Sequence, residues 1–333
     1  DASRGIIIKK KRRRDVDKQI NYGIMGYARI ARDKVIPGIL EAKNARLYAV
    51  ASQNAERRGK AMRDYPFEKV YDSYQALLDD PQVDAVYIPL PNAMHKEWTV
   101  KAARAGKHIL CEKPMALTLK DVDEMIDAAR MSGVKLMEAF MYRFTARTAK
   151  LQALLAEGVI GPIRHINATF RFKLNDLSDI RLNPQLGGGS LWDVGCYPVN
   201  LIGMLMGEEP EAVCALKTNR QGVDDALSAV LRYRNGVIAT VSSGLDSHSC
   251  MLTEINGDTG TLIIRDSYDQ TDTPILLVKD GVTTQIPVPA SKRYVAEVED
   301  FSDAILNDRE PGFGLDETRR NIAVILRILE AVQ

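Results

Sequence analysis

The chain has 333 residues, 45% hydrophobic and 27% charged, with a formal net charge of +1. That length fits two globular domains, and the charge balance argues against a nucleic-acid-binding surface over the whole molecule. Four scattered cysteines with no CxxC pair and four histidines without ligand spacing argue against a disulfide framework and a metal site, and no apolar run reaches the 18 residues of a membrane span.

The first segment, "IIIKKKRRR", holds six consecutive basic residues at positions 9–14. It reads either as an arm for nucleic acid or an acidic surface or as a solvated tail or tag, and residues 1–19 are set apart on that ground. From residue 20 short apolar strands alternate with amphipathic helices. "INYGIM" reads as a strand, "ARIARDKVIPGILEA" as a helix, "ARLYAVAS" as a strand and "NAERRGKAMRDY" as a helix. "YDSYQALLDD" reads as a short helix starting at Asp72 or Ser73, "VDAVYIPL" as a strand, and "NAMHKEWTVKAARAG" as a helix ending at Gly106. "KHILCE" is a strand, "TLKDVDEMIDAARMSG" a helix from an N-cap at Thr118 to Gly133, and "VKLMEAF" a strand. This alternation predicts an α/β unit over residues 20–144 with a doubly wound parallel sheet.

Beyond Phe144 the pattern changes. A helix over residues 146–157 precedes segments with period two, among them "IRHINATFRF", "EAVCALKTN", "ALSAVLRYRNGVIATVSSGL" and "MLTEINGDTGTLIIRD". Turn signals such as Asn235-Gly236 and Asp280-Gly281 punctuate them. Two helices, "VAEVEDFSDAILN" and "DETRRNIAVILRILEAV", close the chain. The second unit, residues 145–333, is therefore expected to be α+β with an open-faced, mainly antiparallel sheet. The uncovered face predicts at least a homodimer, or a homotetramer, formed through that sheet.

Ligands of an open parallel sheet bind at the carboxyl ends of its strands. The first strand is followed by Gly26-Tyr27-Ala28-Arg29-Ile30-Ala31, a G-x-A-x-x-A form of the dinucleotide turn. Ser52-Gln53 follow the second strand, with Arg57 and Arg58 one helical turn on and no acid before Glu56. An acid there would hold a ribose 2′-hydroxyl, whereas this set suits a 2′-phosphate, hence NADP(H) over NAD(H), with NAD(H) still possible. Leu90-Pro91-Asn92 and His95, then Glu112-Lys113-Pro114, then the "EAFMYRF" that contains Arg143 follow later strands. All of these are candidate cofactor contacts. Pro114 also keeps Lys113 out of helical geometry and ends its strand.

"LPNAMHKEWTVKAARAGKHILCEKPMALT" and "GGGSLWDVGCYPVN" resemble two motifs of the Gfo/Idh/MocA oxidoreductases, named for glucose–fructose oxidoreductase and inositol dehydrogenase. The chain is closest in look to their NADP-dependent dihydrodiol and D-xylose dehydrogenase branch. The resemblance covers residue 20 to the end. It implies an NAD(P)-dependent dehydrogenase or reductase that acts on CH–OH groups of a sugar or cyclic polyol. Two other functions stay open: a nucleotide-binding regulator of the same fold, and a cofactor-cycling sugar oxidoreductase with tightly held nucleotide.

Such chemistry needs a hydride transfer and one proton transfer at oxygen. Tyr197 is the expected proton donor or acceptor, Lys113 the group that polarises the oxygen and depresses the tyrosine pKa, and Asp193 the orienting carboxylate. Asp193 and Tyr197 share one face if an α-helix begins near Ser190. Trp192 and Tyr142 either stack on the substrate or, as packing favours, fill the interface, and Arg143 and Arg181 could hold phosphate or sugar. The expected partners are a small sugar or polyol and further copies of the chain, with neither nucleic acid nor membrane, in the cytoplasm.

Overall fold

The computed structural model describes residues 18–269 and 272–332. The basic run at positions 9–14 lies outside the described residues.

Strands β1 (Ile20–Met25), β2 (Ala45–Ala51), β3 (Lys69–Tyr71), β4 (Ala85–Ile88), β5 (His108–Glu112) and β6 (Leu136–Ala139) form one sheet in the order β3-β2-β1-β4-β5-β6. Every pairing in it is parallel. All four residues of β4 and of β6 are buried, as expected of strands covered on both faces. The helices between them are α1 (Ile36–Glu41), α2 (Ala55–Asp64), α3 (Tyr74–Leu78), α4 (His95–Arg104) and α5 (Leu119–Met131). Asn54, Ser73 and Thr118 cap α2, α3 and α5, each side chain accepting from the third residue on. The first helix is less regular than its sequence suggests, because a π-helical turn, Ala31–Val35, precedes α1.

After α6 (Ala146–Ala156) comes β7 (Ile163–Lys173), and α7 (Cys196–Met206) follows. The remaining strands are β8 (Ala212–Arg220), β9 (Val223–Arg232), β10 (Ile238–Gly244), β11 (Asp246–Gly257), β12 (Thr261–Arg265), β13 (Ile275–Lys279) and β14 (Val282–Ile286). They form an eight-stranded sheet in the order β14-β13-β12-β11-β7-β10-β9-β8. It is antiparallel except where β7 lies parallel to β10. Helix α7 packs on β7 and β10, and buries every residue from Cys196 to Ile202. The opposite face presents Leu216, Val230 and Ile238, exposed by 66%, 46% and 42%.

The last two helices, α8 (Arg293–Leu306) and α9 (Leu315–Glu330), return to the first sheet. Helix α8 packs on α1, and the buried Tyr22 and Ser302 hydroxyls sit 2.9 Å apart between β1 and α8. Helix α9 packs on α5, β6 and α7, so it joins the two sheets. The carboxyl ends of β4, β5 and β6 thereby meet the start of α7.

Candidate active site

The turn after β1 has the shape of a phosphate cradle. Gly26 sits at φ +101°, and a Cβ there would stand 3.1 Å from Leu90. The first backbone bond of the helix runs from Arg32 N–H to Ala28 O. The N–H groups of Arg29, Ile30 and Ala31 thus precede any intrahelical acceptor and are placed to receive a pyrophosphate. The Tyr27 side chain does not join that cradle: it is buried, and its hydroxyl donates to Asp64 at 2.8 Å. Beyond β2, the buried Ser52 accepts from Asn54 N–H at 3.3 Å. Arg58 braces the loop by donating to Ser52 O at 2.7 Å and Gln53 O at 3.1 Å. Gln53 and Arg57 stay exposed beside it. These residues fit a dinucleotide whose 2′-phosphate would face Gln53 and Arg57.

Three expected cofactor contacts have other partners. His95 is fully buried, and its ring nitrogens lie 2.9 Å from Pro114 O and 2.8 Å from Leu90 O. It therefore sits between two loops; burial lowers its pKa, and the neutral ring, with a single N–H, donates to one of these two carbonyls. Asn92 donates to Gly187 O at 2.9 Å, which fastens the second unit to the first. Arg143 donates to Glu317 at 2.9 Å and Asn200 at 3.3 Å, and lies 4.8 Å from the Phe313 ring. Each side chain satisfies groups that would otherwise be buried and unpaired, which a position at a strand end cannot reveal. Leu90 and Pro91 stand beside the Gly26 turn and at the start of this loop.

The Glu112-Lys113 pair divides its work. Glu112 accepts from Tyr87 O–H at 2.5 Å and from Lys113 N–H at 3.2 Å, and burial raises its pKa. The turn after Lys113, whose peptide to Pro114 is cis, is held from below by Glu138. That buried carboxyl accepts from Met115 N–H at 2.8 Å, and burial pushes its pKa up to about 7. The Lys113 ammonium crosses to the second unit. It donates to Asp193 O at 2.6 Å and Asp193 Oδ1 at 3.3 Å, and stands 5.0 Å from the centre of the Tyr197 ring. Burial works against the ammonium, but Asp193, Cys196 and Glu112 together outweigh it and the Lys113 pKa is raised. Burial likewise opposes the Asp193 carboxylate, and Lys113 and Arg181 together hold its pKa below the usual range.

Two expectations for Tyr197 need correction. Lys113 does not depress its pKa: the ammonium lies over the ring rather than on the hydroxyl, and burial raises the pKa well above 10.0. The hydroxyl contacts Met141 Sδ at 3.7 Å instead. Asp193 and Tyr197 also do not sit on regular α-helical spacing, because Leu191–Gly195 is a π-helical turn. A wider turn offsets residues four apart, and Lys113 reaches both from between. Trp192 and Tyr142 are buried and pack, as does Cys111.

The triple glycine carries the loop over residues 174–189 into this helix. Gly189 sits at φ +120°, and a Cβ there would stand 2.2 Å from Asp224 Oδ1. Asp224 in turn accepts from Ser190 O–H and Leu191 N–H, both at 2.7 Å, and so fixes the start of the π turn. Gly189→Ala is expected to cost roughly 1–3 kcal/mol of stability, read as a lower urea midpoint; an unchanged midpoint would contradict this account. Asp224 escapes a sequence reading because it acts across the fold from β9 on Ser190 and Leu191, and Asp179, which binds Arg181, because it stands in a loop without periodicity.

A family model described as an oxidoreductase family with an NAD-binding Rossmann fold matches residues 20–140, and one for the GFO/IDH/MocA C-terminal domain matches residues 148–263. The chain is similar to D-xylose 1-dehydrogenase (NADP(+)) 2 of Haloferax volcanii, with 33% identity over 93% of this chain and 95% of that protein. It is also similar to a 3-ketoreductase from Actinomadura kijaniata crystallised with NADP and TDP-benzene: 29% identity, TM-score 0.91, covering 95% and 98% of the two chains. Structures of that reductase exist with one lysine or one tyrosine replaced, and these two are separated by the same number of residues as Lys113 and Tyr197. An aldose-aldose oxidoreductase from Caulobacter crescentus complexed with glycerol has 31% identity and a TM-score of 0.88, over 94% and 97%.

Proposed function

The chain belongs to the Gfo/Idh/MocA oxidoreductase family, and from that premise we propose that it moves a hydride between NADP(H) and a secondary alcohol, ketone or hemiacetal carbon of a sugar or cyclic polyol. The observation that carries this reading is the Lys113 ammonium held between Asp193 and the Tyr197 ring at the strand ends. When bound, the nicotinamide supplies or takes the hydride. Lys113 polarises the reacting oxygen, Tyr197 gives or takes its proton, and Asp193 fixes the lysine. The proposal divides the chain into a nucleotide unit, 20–144, and a substrate unit, 145–333.

Preference for NADP(H) over NAD(H) rests on the exposed Gln53 and Arg57 after β2, the absence of an acid before Glu56, and NADP in the names of the relatives. The uncovered face with Leu216, Val230 and Ile238 supports a homodimer through the second sheet. Light scattering after size exclusion is expected to give at least twice the chain mass at micromolar concentration, and a monomer would count against it. The exposed thiol of Cys214 suits a reducing cytoplasm.

The test is absorbance at 340 nm with NADP⁺ and NAD⁺ against pentoses, hexoses, inositols and dihydrodiols, and with NADPH against ketosugars. Turnover with a sugar or polyol, faster with NADP⁺, is expected. Tight NADP⁺ binding without turnover of any of them would favour a regulator.

A further inference from the structure

Arg181 reaches the same carboxylate that holds Lys113. Its Nε donates to Asp193 Oδ2 at 2.5 Å, and its Nη1 lies 3.2 and 3.3 Å from the two oxygens of Asp179. Its guanidinium lies 5.9 Å from the Phe172 ring. Nη2 has no partner among the described residues, and the side chain is 29% exposed. The guanidinium is thus fixed on one edge and offers hydrogen-bond donors on the other.

The charges around it cancel: Lys113 and Arg181 face Asp179 and Asp193. A phosphate or carboxylate placed against Arg181 would meet two carboxylates at similar range, so little net attraction remains. An anion on the free Nη2 N–H would still feel the repulsion of both carboxylates. A hydroxyl accepts from the same N–H without adding charge, so it meets no such repulsion. Arg220 is likewise committed: it donates to Leu174 O at the start of the loop and pairs with Asp225 at 2.6 Å.

We propose that Arg181, held by Asp179 and Asp193, is a specificity-determining residue that selects an uncharged sugar or polyol over a sugar phosphate or sugar acid. This deepens the function proposed above and rests on it. Arg181 contacts substrate hydroxyls, and Asp179 acts through Arg181 by balancing its charge.

Calorimetric titration of the enzyme–NADP⁺ complex with D-glucose, D-glucose 6-phosphate and D-glucuronate tests this. The wild type is expected to bind glucose at least about tenfold tighter than either anion. Asp179→Asn keeps the shape and removes one compensating charge, and is expected to narrow that ratio about tenfold. Arg181→Gln is expected to weaken glucose binding roughly tenfold, with NADP⁺ affinity little changed. Equal binding of the anions by the wild type, an unchanged ratio in Asp179→Asn, or binding of none of the three overturns the proposal. If sugar turnover at 340 nm accompanies such a result, the oxidoreductase reading survives and only this inference falls. Loss of both turnover and sugar binding removes both.

Discussion

Lys113→Met is expected to lower kcat/KM by about 10²–10⁴-fold while leaving NADP⁺ affinity within a few-fold. Methionine keeps most of the side-chain volume and removes the ammonium aimed at both Asp193 and Tyr197. The turn that carries it is held independently, by Glu138 at Met115 N–H with the His95 ring beside Pro114 O, so the backbone should stay in place. Asp193 keeps its bond to Arg181, so no bare buried carboxylate is created. Turnover at 340 nm gives the first quantity and quenching of protein fluorescence by NADP⁺ the second. Activity within tenfold of wild type would remove Lys113 from the chemistry. An equal loss of cofactor affinity would make it a binding residue.

Much of the architecture was legible because it follows from periodicity. Strand–helix alternation marked the parallel sheet, and the caps at Ser73 and Thr118 appear where a hydroxyl precedes an apolar run. The site was legible only as a place. Strand ends identify which loops face a cofactor, but not which side chains within them do. Tyr27, Asn92, His95 and Arg143 stand in those loops, and their polar atoms answer Asp64, Gly187 O, two carbonyls and Glu317. Such partners lie up to 174 residues away in sequence, beyond the reach of any local pattern. The π turn at Leu191–Gly195 is a second case. Its residues read as ordinary helix, and Asp224, which binds Ser190 and Leu191 N–H where that turn begins, comes from β9. The charge balance at Arg181 needed the fold as well, since a lone arginine in a loop suits a phosphate or a hydroxyl equally.

Tyr197→Phe separates chemistry from packing more cleanly than any other change at the site. The ring sits among Phe140, Phe170 and Tyr268, with centroids 5.3, 5.4 and 5.4 Å away, and phenylalanine keeps those contacts and the ring beneath Lys113. Only the hydroxyl is lost, with its 3.7 Å contact to Met141 sulfur. Stability should therefore change by less than about 1 kcal/mol, whereas kcat should fall about 10²–10⁴-fold. Burial raises the phenol pKa well above 10.0. A phenol is neutral below its pKa, so a raised value keeps the proton on Tyr197 throughout the neutral and mildly alkaline range. In this state it is a proton donor, suited to ketone reduction, and a poor base for alcohol oxidation. Reduction with NADPH is thus expected to show no alkaline loss up to about pH 10, and oxidation to rise with pH over the same range. If reduction instead declined through pH 8 in the wild type, with no such decline in the residual activity of Tyr197→Phe, Lys113 would be lowering the tyrosine pKa once substrate is bound. Near-wild-type turnover by Tyr197→Phe would place the proton donor elsewhere.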